Sequence, residues 1–429
     1  MKKSMIFAAI AALTLAACAK VETVKNDAPE AIGFSVYTGK SVTKAVSGTD
    51  FGTITNTELQ ASAKGFGVFA YYTDAANYAS STKANFMYNQ QVKYSAGAWT
   101  YNPIKYWPNE HGASAVSTDT DKLTFLAYAP FVANNDIAND KGVSITDKTG
   151  SAAATEGIIA MTANNVAEDA TLTFKVPASS EEQIDLLYGV LGAQYTDVEG
   201  ATIGTVGSPM ENLTKQKTGG QISILFKHAL AKIAINIKEV VDAVDPTTSV
   251  NPASKGTKVV VKSLKLKGTT IGTQGELNLY TGLWNVTTSG TEFTVAPLPA
   301  AISVDAAPTS YPAIAGVDED GLDNTIDLML IPFYSDNSTP ADDTDDVYTE
   351  ISGVEIVYYV CTQDTQLDGE VSVVEDKISK DFATPLAIVK GKQYNLNVLL
   401  GLTSIELTAD VEAWSVDSTT NVDLPKNVE

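Results

Sequence analysis

The sequence has no arginine, and it has only two histidines and two cysteines among 429 residues. Without arginine, bidentate guanidinium recognition of phosphate or carboxylate is excluded, and every basic residue is a lysine. The 51 acidic and 29 basic residues give a formal net charge of -22, which repels phosphate backbones. Nucleic acid is therefore not an expected partner.

The scarcity of histidine and cysteine leaves little from which to build a catalytic or metal site. His228 lies in an apolar run and is predicted to be a hydrogen-bonded core residue, whereas His111 has no Cys or second His at ligand spacing. Cys361 follows an apolar run and is predicted to be a small buried residue. The acidic segments 317–321 and 341–346 lack EF-hand spacing. We expect no enzymatic activity, no metal and no cofactor.

The first residues predict the compartment. Lys2 and Lys3 precede a short apolar run, and Leu15-Ala16-Ala17-Cys18 resembles a bacterial lipobox. Residues 1–17 are therefore predicted to be a lipoprotein signal peptide and Cys18 the lipidation site, which would hold the precursor at the outer membrane. Residues 19–30 are polar and read as a flexible tether.

The stretch Ala31–Ala45 is predicted to be a strand followed by an accessible hinge. Ile32, Phe34 and Val36 alternate with Gly33, Ser35 and Tyr37, and a polar segment with Lys40 and Lys44 follows. We interpret the strand as a temporary plug that completes a sheet during export and is then cut away near Lys44. Residues 18–44 would thus be a tether and removable first strand.

The rest of the chain alternates with a period of two, and helical periodicity is scarce. It predicts an all-β fold of two mostly antiparallel β-sandwich domains, at residues 45–220 and 221–414. Residues 222–237 are predicted to form one long strand, with a bulge near His228. The run Leu328–Ile331 predicts a strand that is buried on both faces. The alternation of apolar and polar residues over 405–414 predicts a strand with one face exposed to solvent.

Two further segments have open interpretations. In the tail, residues 415–429, Val416, Val422 and Leu424 share one parity, so the tail could offer apolar groups to alternate pockets as a donor strand. It could instead be disordered or fold back on its own domain. The aromatic residues Tyr101, Tyr106 and Trp107 are predicted to pack in the sheet, with stacking on sugars as the alternative.

An ordered set of motifs indicates a family. It comprises the lipobox at Cys18, Thr43-Lys44-Ala45, Phe66–Tyr72, Phe86–Gln90, Trp99–Trp107, Phe125–Pro130, Asp185–Tyr188, Phe226–Lys232, Gly282–Trp284 and Gly391–Leu396 through Trp414. With these segments, the chain resembles the fimbrillins of Bacteroidales type V pili, which include the major and minor fimbrial subunits and their Mfa-like relatives. The resemblance covers nearly the whole chain.

The resemblance implies two tandem transthyretin-like antiparallel β-sandwich domains and export as a lipoprotein. It also implies that a trypsin-like surface protease removes the first strand and that subunits polymerise by strand exchange. In the best-known relatives the cut follows arginine in a Thr-Arg-Ala-like context, whereas Lys44 occupies that position here, before Ala45. A protease that accepts lysine is therefore needed, and Lys40 is the second candidate site.

These expectations make the chain a structural subunit of a fimbria, with copies of itself or related pilins as partners. We favour a shaft subunit that moves from the outer membrane to an extracellular fimbrium and supports adhesion. The alternatives are a tip or anchor pilin and a monomeric carbohydrate-binding surface lipoprotein.

Overall fold

The computed structural model describes residues 30–36, 56–62, 64–108, 120–133, 155–163, 166–196, 202–240, 257–295, 325–332, 334–335, 347–363, 371–401 and 405–414. The fold of these residues is all-β, as predicted. No helix among them is long and apolar enough to cross a membrane.

Twelve strands precede Ala229 in the described part of the chain. They are β1 (Gly33–Val36), β2 (Phe66–Asp74), β3 (Met87–Ser95), β4 (Ala98–Thr100), β5 (Lys122–Ala129), β6 (Gly157–Met161), β7 (Thr171–Lys175), β8 (Leu187–Leu191), β9 (Tyr195–Thr196), β10 (Thr202–Ile203), β11 (Met210–Leu213) and β12 (Gln221–His228). The helical pieces are α1 (Asn56–Ala61), α2 (Lys215–Thr218) and a 3-10 turn at Ser180–Glu182.

The strands that follow include much longer ones. They are β13 (Ala231–Val240), β14 (Thr257–Asn278), β15 (Trp284–Val295), β16 (Thr325–Leu330), β17 (Tyr334–Ser335), β18 (Val347–Gln363), β19 (Val371–Ile388), β20 (Lys392–Gly401) and β21 (Ile405–Ala413). The predicted buried strand is confirmed, because Leu328, Met329, Leu330 and Ile331 are all at most 3% exposed. In β21 the predicted alternation holds for Leu407 and Ala409, which pack on the core, but Val411 is exposed.

Three large sheets and a small β9–β10 hairpin contain these strands. The first sheet has the order β1–β12–β8–β5–β2–β3–β4, with β11 also paired to β5. The second has the order β16–β13–β20–β21, and the third has β17–β18–β14–β7–β6 with β15 on β14 and β19 on β18. Neighbours in the first sheet are antiparallel except β1 and β12, which are parallel.

The predicted single strand over residues 222–237 is wrong, although the predicted position of the irregularity is close. The chain leaves the first sheet after His228 and enters the second sheet at Ala231. Ala229 N–H donates to the Leu186 carbonyl, and the Leu230 carbonyl accepts from Gly391 N–H. Because these backbone groups bond to other segments, the ladder cannot continue through them.

The division into two sandwich domains at residue 220 stays a prediction. β12 lies after that position and is hydrogen-bonded within the first sheet. Conversely, β6 and β7 lie before it, and β7 pairs with β14 of the third sheet. The buried apolar residues form two clusters, and the smaller one contains Ile32, Phe34 and Val36 together with side chains of β2, β5 and β12.

Candidate functional site

The first strand lies at the edge of the first sheet, against β12. The pairing is parallel, with Gly33 opposite Gln221, Phe34 opposite Ile222, Ser35 opposite Ser223 and Val36 opposite Ile224. Gly33 N–H also donates to the Gly220 carbonyl at 3.0 Å. A segment more than 180 positions earlier in the chain is thus added to the first sheet beside β12.

Residues 30–32 also have a backbone neighbour on their other side. Ile32 N–H donates to the Lys105 carbonyl at 2.9 Å, and Trp107 N–H donates to the Glu30 carbonyl at 3.0 Å. Ala31 stands opposite Tyr106 in an antiparallel bridge. The first strand therefore enters between two walls, Gly220–Ile224 and Lys105–Trp107. We call the space that residues 30–36 occupy between these walls the strand-1 groove.

The three alternating apolar side chains of the first strand enter the core. Ile32, Phe34 and Val36 are 1%, 4% and 7% exposed, while Gly33 and Ser35 remain partly exposed. This confirms the predicted strand and its buried face, and it leaves removal of the strand untested. Each of these side chains fills a pocket that would be open to water without it.

The central pocket is aromatic. The Phe34 ring lies 5.5 Å from Tyr101, 6.0 Å from Phe66 and 6.1 Å from Phe125 between ring centroids, with edge-to-face geometry in each pair. Such pairs contribute beyond the apolar area they bury. The strand-1 groove is thus shaped for a large side chain at its middle position.

Trp107 fixes the second wall independently of the first strand. Its indole Nε1–H donates to the Gly220 carbonyl at 2.9 Å, and the side chain is 5% exposed. Gly220 has a φ of +85°, and a Cβ there would collide with the Glu30 carboxylate. Glycine is therefore favoured at position 220 by its backbone conformation, whereas the clash involves only the movable end of the exposed Glu30 side chain.

Tyr101 contacts the backbone of the first strand through its hydroxyl. The hydroxyl lies 2.9 Å from the Ile32 carbonyl and 3.1 Å from the Lys105 carbonyl, and it accepts from Lys105 N–H at 3.3 Å. Burial raises the pKa of Tyr101, so the hydroxyl stays protonated and remains a donor. The Tyr101 hydroxyl bonds to a main-chain carbonyl, so this contact does not depend on the side chains of the strand in the groove.

A positive charge marks the entrance of the strand-1 groove. Lys215 Nζ, in α2, lies 3.4 Å from Glu30 Oε2, and the two side chains are 24% and 46% exposed. An exposed pair of this kind contributes at most about 1 kcal/mol. The Lys215 ammonium favours an acidic side chain and disfavours a basic one at the position of Glu30.

Replacing Trp107 by phenylalanine is expected to lower the free energy of unfolding by about 1 kcal/mol, because one buried hydrogen bond to the Gly220 carbonyl is lost. Gly33 N–H still satisfies that carbonyl, which limits the cost. Urea unfolding of the uncleaved chain measures the change. Trp99→Phe is the matched control, since Trp99 packs on Phe66 and Tyr94. A Trp107→Phe effect no larger than the control effect would contradict the role of the indole N–H.

His228 is a core residue, as predicted. It is fully buried, its Nδ1 lies 2.9 Å from Asp185 Oδ1, and its ring stacks on Trp414 with a centroid distance of 3.8 Å. The packing prediction is also confirmed for Trp107 and Tyr101, whereas Tyr106 is 49% exposed. In the described part of the chain, no three His, Cys, Asp or Glu side chains form a possible metal site.

Several predicted site residues lie outside the described residues, namely Cys18, Lys40, Lys44, Ala45, Val416, Val422 and Leu424, together with His111 and both acidic segments. Cys361 lies on β18, opposite Lys258. Sequence reasoning missed Glu30, Lys215 and Gly220 as parts of the strand-1 groove. The Gly219-Gly220 pair directly before an apolar strand was an available signal.

The sequence model of the fimbrillin-like family matches residues 43–414, so the chain belongs to the fimbrillin-like family. The match begins one residue before Lys44 and ends at Trp414.

Individual relatives are more distant. Fimbrium subunit Fim1C of Phocaeicola vulgatus is 28% identical over 273 residues, which are 62% of this chain and 57% of that protein. The similarity thus spans little more than half of that relative. A fimbrial protein from Bacteroides vulgatus has a crystal structure with 20% identity and a TM-score of 0.49, covering 90% of this chain and 99% of its own. The tip fimbrial protein Mfa3 of Porphyromonas gingivalis has 10% identity and a TM-score of 0.25, covering 81% and 93%.

Proposed function

We propose that the protein is a structural subunit of a type V fimbria, and that its first strand holds the place of a strand from a neighbouring subunit. The observation that carries this proposal is the position of residues 30–36, which add to β12 and insert three side chains into the core. Membership of the fimbrillin-like family supports it. The role is structural, without catalysis.

Loss of the first strand would leave a surface that demands a replacement. Three apolar pockets would open, each worth about 1.5–3 kcal/mol when filled. The Gly220 and Lys105 carbonyls would each lose one of two donors, Trp107 N–H would lose the Glu30 carbonyl, and β12 would lose its neighbouring strand. A strand from another subunit restores both sets of contacts, and this is recognition by β-strand addition.

Proteolysis after Lys44 is the proposed trigger. The precursor is carried to the outer membrane by lipid on Cys18, and a trypsin-like surface protease that accepts lysine then cuts between Lys44 and Ala45. The cut separates both the lipid and the first strand from the rest of the chain. A family match that starts at residue 43, close to this bond, is consistent with a mature subunit that begins there.

The proposed donor is the tail after Trp414, with Val416, Val422 and Leu424 as its apolar residues. The tail and the strand-1 groove are different parts of the same molecule, so each contact between subunits is heterologous. Heterologous contacts that do not close on themselves generate filaments. We therefore assign the subunit to the shaft of an extracellular, adhesion-supporting fimbrium.

The combined variant Lys44→Ala and Lys40→Ala is expected to accumulate as a full-length, lipidated monomer at the outer membrane, because the protease lacks its basic residue at the hinge. Lys20→Ala with Lys25→Ala, which removes two lysines from the tether, is the matched control and should be processed normally. Mass spectrometry of the surface-released protein and non-denaturing electrophoresis measure the outcome.

Three results would count against this scheme. Normal polymer from the Lys44 and Lys40 variant would refute cleavage as the trigger. Polymeric wild-type protein that keeps an acylated Cys18 would indicate an anchor subunit. A wild-type protein that is released and stays monomeric would exclude a shaft subunit.

A further inference from the structure

We infer the register and direction in which the tail enters the groove of the next subunit. Thr420, Val422 and Leu424 take the pockets of Ile32, Phe34 and Val36, and the tail runs parallel to β12. This inference rests on the proposed function, because it takes the tail as the donor. The geometry of the occupied groove and the tail sequence select this register.

The spacing of the pockets limits the choice. The groove takes three side chains at alternate positions, all at most 7% exposed. In the tail, the odd-numbered positions hold Asp417, Asp423 and Pro425, so the even-numbered positions must face the core. Among these, earlier registers place Ser418 in a pocket, and later registers place Lys426 in one. Burying an unpaired lysine is costly, and serine has no methyl group with which to fill an apolar pocket, whereas threonine has one. These two conditions leave residues 420–424.

Pro425 independently disfavours the register that is shifted by two residues. In that register Pro425 would take the position of Ser35. Ser35 has the same parity as Gly33, whose N–H donates toward the β12 side, so the N–H at position 35 also faces β12. Proline has no N–H to offer there. In the inferred register Pro425 follows the last pocket, where it ends the added strand.

The positions between the pockets accept the tail residues. Gly33 would be replaced by Asn421, and a Cβ at position 33 lies 3.6 Å from Gln221 Cγ, an ordinary van der Waals distance. The φ of Gly33 lies outside the left-handed region, so a side chain is not strained there. Ser35 would be replaced by Asp423 at a partly exposed position. Neither exchange buries a charge.

The charge at the groove entrance favours the parallel direction. If the same three side chains entered in reverse, Lys426 would take the place of Glu30, beside Lys215. Two ammonium groups would then face each other where the occupied groove has an ion pair. In the inferred direction the neutral Ser418 takes that place, so repulsion is avoided.

Disulfide trapping in the assembled fimbria tests the register. A Cβ at position 33 lies 3.8 Å from Gln221 Cβ, which is within the roughly 3.5–4.5 Å range that disulfides require. The parent chain carries Cys361→Ala and keeps Cys18, whose thiol is acylated and is removed with the first strand. In this parent, Asn421→Cys with Gln221→Cys should therefore form bonds between subunits after cleavage and mild oxidation. Non-reducing electrophoresis should show a ladder of covalent oligomers. The matched control is Asp423→Cys with Gln221→Cys in the same parent, which should give at least tenfold less ladder.

The outcomes separate the two proposals. A stronger ladder from the Asp423 pair would overturn the inferred register, because Asp423 faces Gln221 if the strand is shifted by two residues or reversed. A further pair, Asn421→Cys with Ser223→Cys, would separate these two cases, since it crosslinks only if the strand is reversed. Polymer without a ladder from either pair would overturn the inference and leave the proposed function standing. A cleaved wild-type chain that forms no polymer would refute both.

As a second readout, Val422→Phe should refill the aromatic pocket and raise the temperature at which the polymer dissociates; a lower temperature would contradict the placement of Val422.

Discussion

Replacing Phe34 by alanine is expected to lower the free energy of unfolding of the uncleaved chain by about 3–5 kcal/mol, the range for a buried phenylalanine. The ring contacts Phe66, Tyr101 and Phe125 at the centre of the smaller core. Its removal would leave a cavity that three packed rings cannot fill. Urea unfolding followed by tryptophan fluorescence measures the change, and Trp99 and Trp107 lie near the cavity.

The Phe34→Ala variant should also exchange its first strand more readily after cleavage, since the occupant of the groove is weakened and the groove is unchanged. Ser35→Ala is the control on the same strand, because its hydroxyl makes one long hydrogen bond, at 3.5 Å, to the Ile222 carbonyl. The control should unfold within about 0.5 kcal/mol of the wild type, as expected for a surface substitution. Equal stability of Phe34→Ala and Ser35→Ala would show that the first strand contributes little to the core.

A disulfide between positions 33 and 221 is expected to abolish polymerisation and leave cleavage unaffected. Gly33→Cys and Gln221→Cys place the two Cβ atoms 3.8 Å apart on neighbouring strands, which satisfies the geometry of the bond at about 3.5–4.5 Å. In the parent with Cys361→Ala, the bond would hold the first strand to β12 after the hinge is cut. The groove would remain occupied, so no donor could enter.

Reduction provides the internal control for this variant. Adding a thiol reductant to the cleaved, locked protein should release the first strand and restore polymer to the level of the parent. The matched control is Gly33→Ser with Gln221→Ser, which should assemble under both conditions. Polymer that forms equally well with the disulfide intact would mean that assembly does not use the strand-1 groove. Electrophoresis under non-reducing conditions verifies the bond, and electron microscopy scores the filaments.

The first strand itself could be predicted from the sequence because its signal is local. The alternation of Ile32, Phe34 and Val36 requires only that one face meet a core, and all three side chains are buried. The same reasoning identified the doubly buried run Leu328–Ile331. His228 could also be assigned correctly, since a lone histidine among apolar residues needs only one partner, which is Asp185.

The pairing of distant segments could not be predicted from the sequence. Nothing in residues 31–36 specifies β12 as the neighbour or a parallel direction, because both depend on tertiary contacts across the chain. The Lys105–Trp107 wall contains no strand, and its position depends on the Trp107 bond to Gly220. The break after His228 had a faint signal in the sequence. The buried isoleucines lie at even-numbered positions before it, Ile222 and Ile224, and at odd-numbered positions after it, Ile233 and Ile235. A bulge and a change of sheet produce the same shift, so periodicity could not separate them.

The position of β12 has a mechanical consequence for a filament assembled as proposed. β12 starts beside the strand-1 groove at Gln221 and ends at His228, which stacks on Trp414, the residue from which the tail departs. Tension that enters through a neighbour's tail would run along about 23 Å of a single strand, at roughly 3.3 Å per residue, before it leaves through Trp414. The pull is directed along the strand, so the hydrogen bonds between β12 and its neighbours share the load in shear and need not break one after another. The buried Asp185–His228–Trp414 cluster would then be the place where each subunit transmits the load to its own tail.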